Sequence, residues 1–169
     1  MIEMSKEEVD EKLRQLAAFQ DGTLKTIDFT PFSEKMITEY IFNDVDLGAS
    51  VEHHVTFRNC KFINTNFSGS WLKYFTFDHC TFKNCNLSKV EMYVIKLIKC
   101  EFDHCTFVRS TFSNSEIVGC TFHQCDFRGL ATGELKIDRS SLPKSISSRL
   151  IKPGNTITNV TWVDASNEK

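Results

Sequence analysis

Residues 80–89 read Cys-Thr-Phe-Lys-Asn-Cys-Asn-Leu-Ser-Lys, two five-residue units that each carry a large apolar residue at the third position. The same spacing continues on both sides, and the phase fails only at Glu52. A period of five fits neither an amphipathic helix nor an alternating strand, so it predicts a short extended segment followed by a turn in every unit. The repeat centres are Phe42, Leu47, Phe57, Phe62, Phe67, Leu72, Phe77, Phe82, Leu87, Met92, Leu97, Phe102, Phe107, Phe112, Ile117, Phe122 and Phe127.

All seven cysteines lie two positions before a repeat centre. Cys80 and Cys85 are five residues apart, which is not the spacing of a zinc site, and an odd count does not suit a closed disulfide framework. We therefore interpret the cysteines as small, reduced, buried side chains beneath the large ones, as expected in a reducing compartment. They are Cys60, Cys80, Cys85, Cys100, Cys105, Cys120 and Cys125.

Turn-forming residues predominate two positions after each centre. Asn59, Asn64 and Gly69 accept positive φ easily, as turns require. Tyr74 and Val94 fit this geometry less well. We therefore expect the type of turn to vary around the coil.

Composition and charge exclude several classes of protein. The chain has 169 residues, 41% of them hydrophobic, which indicates a single globular domain and not a disordered chain. A net charge of −2 argues against a strongly basic nucleic-acid binder, and the short apolar runs argue against a membrane span. The first residues carry no pattern of a secretory signal, so we expect a cytoplasmic protein.

The repeat resembles the pentapeptide-repeat family, whose motif A(D/N)LXX is matched by residues 60–64, 80–84 and 85–89, with Cys where Ala is usual. The resemblance implies an all-β fold, a right-handed quadrilateral β-helix with four units per coil, and so about four coils over residues 42–130. Mapping the chain onto that coil stacks identical residues. The expected structural core comprises Phe62, Phe82, Phe102 and Phe122, beside Cys60, Cys80, Cys100 and Cys120.

Both ends differ from the repeat and are expected to cap it. Residues 1–41 form an N-terminal capping segment with a helix over residues 5–20, which begins with a capping box at Ser5 and Glu8. Residues 131–169 form a C-terminal cap or tail. Within it, residues 140–150 favour a short helix and residues 156–163 a strand.

Large apolar residues also occupy outward positions, where the repeat needs none. One interpretation is that the N-terminal helix or residues 131–169 cover them. The other is a binding or dimer face, since contiguous exposed apolar surface usually has a partner. The candidate interaction surface comprises Trp71, Tyr74, Tyr93 and Val94 on one side of the coil, and Ile98 and Val118 on the next.

Nothing in the sequence indicates catalysis. The Phe-Asp-His-Cys stretches that contain His79 and His104 repeat with no third ligand or nucleophile, and His53 and His54 beside Glu52 suggest a local cap or bulge. No phosphate-binding loop, dinucleotide fingerprint or nucleophile elbow is present. We expect a non-enzymatic chain with no cofactor and no metal.

The expected function is therefore protein binding, without direct contact to nucleic acid or membrane. The resemblance extends distantly to Qnr-type members, which implies mimicry of duplex DNA and protection of bacterial DNA gyrase or topoisomerase IV from quinolones. Residues 42–130 carry nine acidic and nine basic residues, however, which supplies little of the negative charge that a DNA mimic needs. The alternative is a general scaffold, effector or regulatory protein with an unrelated partner, and a homodimer is compatible with either.

Overall fold

The computed structural model describes residues 1–23 and 30–164, in which short parallel strands wind around one axis. Helix α1 spans Lys6–Gln20, and helix α2 spans Ser147–Leu150 after a 3₁₀ turn at Lys144–Ile146. In chain order the strands are β1 (Ile2–Glu3), β2 (Lys35–Thr38), β3 (Ile41–Asn43), β4 (Val51–His53), β5 (Thr56–Arg58), β6 (Lys61–Ile63), β7 (Trp71–Lys73), β8 (Thr76–Asp78), β9 (Thr81–Lys83), β10 (Glu91–Tyr93), β11 (Lys96–Ile98), β12 (Glu101–Asp103), β13 (Thr111–Ser113), β14 (Glu116–Val118), β15 (Thr121–His123), β16 (Ala131–Gly133), β17 (Lys136–Asp138), β18 (Ser141–Pro143), β19 (Thr156–Thr158) and β20 (Thr161–Val163).

Parallel pairing builds the sides of a four-sided coil. The eight-stranded sheet has the order β1-β2-β5-β8-β11-β14-β17-β19, the seven-stranded sheet β20-β18-β15-β12-β9-β6-β3, and the five-stranded sheet β16-β13-β10-β7-β4. On the fourth side, isolated bridges join Asp46, Asn66, Asn86, Thr106 and Asp126 in turn. Within the coil, partner residues are 20 positions apart, as in Phe62 and Phe82. The all-β coil implied by the family resemblance is thus the observed fold.

The coil is longer than the sequence indicated. About six coils are present instead of about four, because strands continue before residue 42 and after residue 130. Residues 131–169 were expected to leave the repeat, yet Ile137 pairs with Ile157, and Leu142 with Trp162. The 3₁₀ turn and α2 interrupt the five-residue spacing of the sequence but leave the 20-residue register of the strands unchanged. This interruption is why the sequence did not reveal the continuation of the coil. The short helix predicted over residues 140–150 is confirmed only in its second half, since Ser141–Pro143 form β18, and the strand predicted over residues 156–163 is present as β19 and β20.

The corner turns do not vary as expected. Tyr74 and Val94 have φ of 60° and 53°, close to the 53° of Asn59. The corner amides from Glu34 to Gly119 donate to a carbonyl one coil further along, as Val94 N–H does to Ser113 O at 3.0 Å. This left-handed geometry directs the amide along the coil axis, so it is required of every corner residue whatever its side chain.

Phenylalanine rings fill the interior in register. Neighbouring rings in the column that contains Phe42 and Phe122 lie 4.4–4.8 Å apart, centroid to centroid, with interplanar angles of 2–10°. Because strands of one side are about 4.8 Å apart, identical side chains in register must stack face to face. The column comprises Phe42, Phe62, Phe82, Phe102 and Phe122, all buried.

The cysteines form a second set of columns and are all free thiols. Each donates to a backbone carbonyl of the preceding coil, as Cys80 Sγ does to Phe57 O at 3.4 Å, and Ser70 and Thr65 use the same register position in the same way. This position therefore suits a small hydrogen-bonding side chain. Cys60, Cys80, Cys85, Cys100, Cys105 and Cys120 are buried.

Cys125 departs from the expectation that every thiol is buried, since it is partly exposed. Its column ends there because the chain enters the 3₁₀ turn at residues 144–146, where the next thiol position would lie. Contact with the Cys125 thiol raises the pKa of Cys105 to about 12, and contact with Cys105 together with burial raises the pKa of Cys85. Both inner thiols of this column therefore remain protonated at neutral pH.

Helix α1 closes the N-terminal end of the coil. Its capping box is formed as predicted, with Ser5 Oγ accepting from Glu8 N–H and the Glu8 carboxylate accepting from Ser5 N–H. Val9 is fully buried against the first coil, and Tyr40 donates from its hydroxyl to the Asp10 carboxylate. The helix therefore covers the open end, where the first rings of the core would otherwise meet water.

Candidate interaction surface

The exposed aromatic residues lie on the outward side of the five-stranded sheet. Strand pairing places Trp71 between Val51 and Glu91, and Lys73 beside Tyr93. Trp71 is 58% exposed, Tyr93 43% and Tyr74 39%. We call Val51, Trp71, Lys73, Tyr74 and Tyr93 the aromatic patch.

Ring contacts order this patch. Tyr74 stacks on His54 with centroids 4.5 Å apart and meets the Tyr93 ring edge-on at 6.4 Å. Lys73 Nζ lies 5.1 Å from the Tyr74 centroid and 5.6 Å from that of Tyr93, so both rings share one cation. A partner would therefore meet side chains that are already positioned.

A groove of about 350 Å³ crosses the same side of the coil. One rim of the groove is formed by Trp71 and Glu91, and the other by Lys73 and Tyr93. Thr111 and Ser113 extend these two rims by one further coil. The Trp71 indole N–H donates to the Glu91 carboxylate, which fixes the tryptophan beside the groove. The groove is partly open to solvent and spans successive coils, from Val51 to Thr111, so it is long enough for a chain segment.

Backbone strain adds a second observation at this patch. Val94 is β-branched, and its φ of 53° is an outlier for such a residue, whereas Asn114 occupies the same corner one coil further along at no such cost. Tyr74 holds the left-handed conformation as well. Every corner of the coil requires this conformation, so what distinguishes Val94 is the higher cost of a β-branched side chain there and not the conformation itself.

Ile98 and Val118 do not join the patch. They pair with each other on the eight-stranded sheet and are half-buried. Residues one position before and one position after a strand centre both point outward. The outward row of Thr76, Lys96 and Glu116 therefore lies between Ile98 and Val118 and the corner that contains Tyr74 and Val94. The prediction that they form the edge of one continuous apolar surface was wrong for this reason.

The N-terminal helix lies elsewhere. Helix α1 contacts the end of the coil through Val9 and through Gln20, whose side chain donates to Asp46 O at 3.1 Å. The exposure of Trp71, Tyr74 and Tyr93 shows that the described residues leave the patch open to solvent. Of the two interpretations from sequence, coverage by α1 is contradicted by the structure.

The residues around Glu52 anchor the N-terminal cap and do not form a bulge. Strand β4 keeps the regular register, with Glu52 opposite Leu72. The Glu52 carboxylate is buried and accepts from Phe32 N–H at 3.2 Å and Ser33 Oγ at 2.8 Å. The charged residue at this centre therefore holds the segment that enters the coil.

The remaining histidines are surface residues. His79 and His104 are exposed, and Nδ1 of each contacts the preceding aspartate at 2.7 and 2.8 Å. Within residues 1–23 and 30–164, no group of three or more His, Cys, Asp or Glu side chains is placed to hold a metal ion. These residues add nothing to the candidate surface.

Sequence reasoning missed Val51 and Lys73. Val51 is 48% exposed and lies opposite Trp71 in the strand pairing, and Lys73 joins the two tyrosines. The 20-residue map contains the signal for Val51, since Val51 and Trp71 differ by 20 positions.

These observations define the class of the molecule: a four-sided parallel β-solenoid with an exposed aromatic side. Residues 60–93 and 95–129 match the Pentapeptide repeats family in eight copies. These two stretches of the coil therefore carry the repeat of the pentapeptide-repeat family. No curated protein matches the sequence.

Solved structures with a similar fold are distant in sequence. Full-length QnrB1, a plasmid-mediated fluoroquinolone resistance protein, is 18% identical over 79% of this chain and 89% of its own, with a TM-score of 0.36. HetL from Nostoc sp. strain PCC 7120 is 8% identical over 86% and 90%, with a TM-score of 0.41. A pentapeptide repeat protein from the thylakoid lumen of Arabidopsis thaliana is 15% identical over 77% and 83%, with a TM-score of 0.33. These likenesses concern the fold alone.

A membrane-spanning helix is not found in the described part of the chain, since neither helix there has the length and apolar character that crossing a bilayer requires.

Proposed function

We propose that this chain is a non-enzymatic protein-binding module whose contact surface is the aromatic patch. The observation that carries the proposal is the exposure of Trp71, Tyr74 and Tyr93 at positions where the repeat requires no large apolar side chain. Aromatic residues are enriched in protein interfaces and among the side chains that contribute most to binding. A solvent-exposed cluster of three therefore favours a protein partner.

The coil suits this role because it is rigid. Strands β7 and β10 pair in register, and the corner amides of Tyr74 and Val94 are hydrogen-bonded to the next coil. Side chains fixed on such a scaffold lose little conformational entropy when a partner binds. The ring-filled interior of the coil supports binding at the surface over catalysis in a pocket.

We place the module in the cytoplasm. Its seven cysteines are free, and neighbouring thiols of the Cys85, Cys105 and Cys125 column lie in contact. Free thiols persist in reducing compartments.

The test is affinity capture from the native host with matched baits. The Trp71→Ala, Tyr93→Ala variant removes two rings of the patch, and Lys61→Ala, Lys83→Ala is the control on the opposite, seven-stranded side. We expect a partner to be retained by the wild type and the control and lost by the aromatic variant. If the captured partner is a second copy of this chain, the aromatic variant should sediment as a monomer. Equal retention by all three baits would contradict the proposal.

Protection of a type II topoisomerase is a narrower candidate, which rests on the family resemblance. The charges on the coil oppose it, because Arg58, Arg128 and Arg139 sit among the acids and pair with Asp78, Asp126 and Asp138. A supercoiling assay of DNA gyrase with and without a fluoroquinolone tests it. Neither inhibition nor rescue over a wide range of protein concentration would remove this candidate and leave the general binding module.

A further inference from the structure

Two cations border the aromatic patch without a counter-ion. Lys89 and Arg109 lie one coil apart at the corner that precedes β10 and β13, and both are exposed. Neither forms an ion pair with a described residue, whereas Arg58, Arg128 and Arg139 each pair with an aspartate. We call Lys89 and Arg109 the basic corner.

Arg109 has room at this corner for its long side chain. A side chain at Gly129, the next residue in the same corner column, would approach Arg109 Cγ to 3.1 Å, so Gly129 leaves room for the arginine. The φ of Gly129 is 74°, which glycine adopts without strain. The exposed guanidinium of Arg109 is therefore accessible to a partner.

The charge of the patch itself is positive. Lys73 lies over the two tyrosines, and of the two acids that line the groove Glu91 accepts from the Trp71 indole, while Glu52 is buried and accepts from Phe32 N–H and Ser33 Oγ. Three cations beside two carboxylates that are already hydrogen-bonded favour an acidic occupant.

We propose that the aromatic patch and the basic corner together bind an extended acidic segment of a partner protein. This inference rests on the proposed function. Apolar or aromatic side chains of the segment lie in the groove between Trp71 and Tyr93, and its carboxylates pair with Lys89 and Arg109. The arginine fork matches a carboxylate in two parallel hydrogen bonds, which gives the basic corner its selectivity.

The probe is a fluorescein-labelled peptide of alternating glutamate and tyrosine, measured by fluorescence anisotropy against the full chain. We expect saturable binding that weakens as sodium chloride rises from about 50 mM to about 500 mM, since exposed ion pairs are screened. Lys89→Glu with Arg109→Glu should reduce the affinity at least about tenfold, because two attractions become repulsions. Lys61→Glu with Lys83→Glu, the same change of charge on the opposite side, should leave the affinity within about twofold.

Three results would overturn the inference: no binding of the acidic peptide, equal weakening by both charge-reversed variants, or tighter binding of an oligothymidylate, which would indicate a nucleic acid. Failure here is distinguishable from failure of the proposed function. If the peptide does not bind while the wild type still captures a partner that the Trp71→Ala, Tyr93→Ala variant loses, the acidic segment is refuted and the binding surface stands.

Discussion

Ser33 Oγ donates a 2.8 Å hydrogen bond to the carboxylate of Glu52, the one repeat centre between Phe42 and Phe127 that is not apolar. The same Ser33 oxygen accepts from His53 N–H at 3.1 Å, so one hydroxyl joins the entering segment to two residues of the first full coil. A buried carboxylate is tolerated at this centre because hydrogen bonds compensate its desolvation. The break in the repeat is therefore the point where the cap is fastened.

Ser33→Ala tests this fastening. Glu52 and the partly buried His53 amide each lose a hydrogen bond, so we expect the free energy of unfolding to fall by about 1–2 kcal/mol. Urea unfolding followed by circular dichroism measures it. Ser68→Ala, another half-buried serine of the coil, should change the value by less than about 0.5 kcal/mol, and equal values for the two variants would refute the fastening role.

Phe102→Ala tests the stacked column. Phe102 lies 4.4 Å from Phe82 and 4.7 Å from Phe122, and its removal opens a cavity between two rings. We expect a loss of about 3–5 kcal/mol in the free energy of unfolding. Thr106→Ala, which truncates an outward side chain in the next unit, should cost less than about 1 kcal/mol. Equal melting temperatures would contradict the inward and outward assignment.

The thiols should differ in reactivity. Six cysteines are buried and Cys125 is partly exposed, so DTNB should label about one thiol rapidly in the native protein and all seven after denaturation. Cys125→Ser should abolish the rapid phase. Rapid labelling of several thiols in the native protein would show that the columns are open to solvent.

Val94→Asn tests whether the backbone is strained at the corner that contains Tyr74 and Val94. Asn114 occupies the equivalent corner with the same φ of 53°, and asparagine adopts this conformation more readily than a β-branched residue. We expect the substitution to raise the free energy of unfolding by about 1 kcal/mol. The reverse change, Asn114→Val, should lower it by a similar amount. A loss of stability in Val94→Asn would mean that packing of the valine outweighs its strain.

The sequence predicts the coil well because the side-chain pattern and the backbone period coincide. Phe62 and Phe82 stack because they occupy the same place in successive coils, which follows from the five-residue period together with the four units per coil that the family resemblance implies. The extension to Trp162 was not predictable in this way, since residues 144–155 break the spacing of five while the register of 20 persists.

The candidate surface was predicted in part. Trp71, Tyr74 and Tyr93 stand out as large residues at outward positions, whereas the role of Lys73 depends on where its flexible chain lies between two rings. Ile98 and Val118 fall on the same coil map, but the intervening row of Thr76, Lys96 and Glu116 separates them from the rings. The spacing of residues in the sequence does not show how far apart outward side chains lie on two adjacent sides of the coil.

Quenching of Trp71 fluorescence tests the binding surface most directly. The chain has two tryptophans, so Trp162→Phe leaves Trp71 as the single reporter. At 58% exposure, Trp71 should be readily quenched by acrylamide in the free protein. We predict that saturation with the captured partner shifts the emission of Trp71 to shorter wavelength and reduces its quenching constant about several-fold. Both changes are expected for a side chain that becomes buried at the centre of an interface. A Trp71 that remains as accessible in the complex as in the free protein would contradict the account.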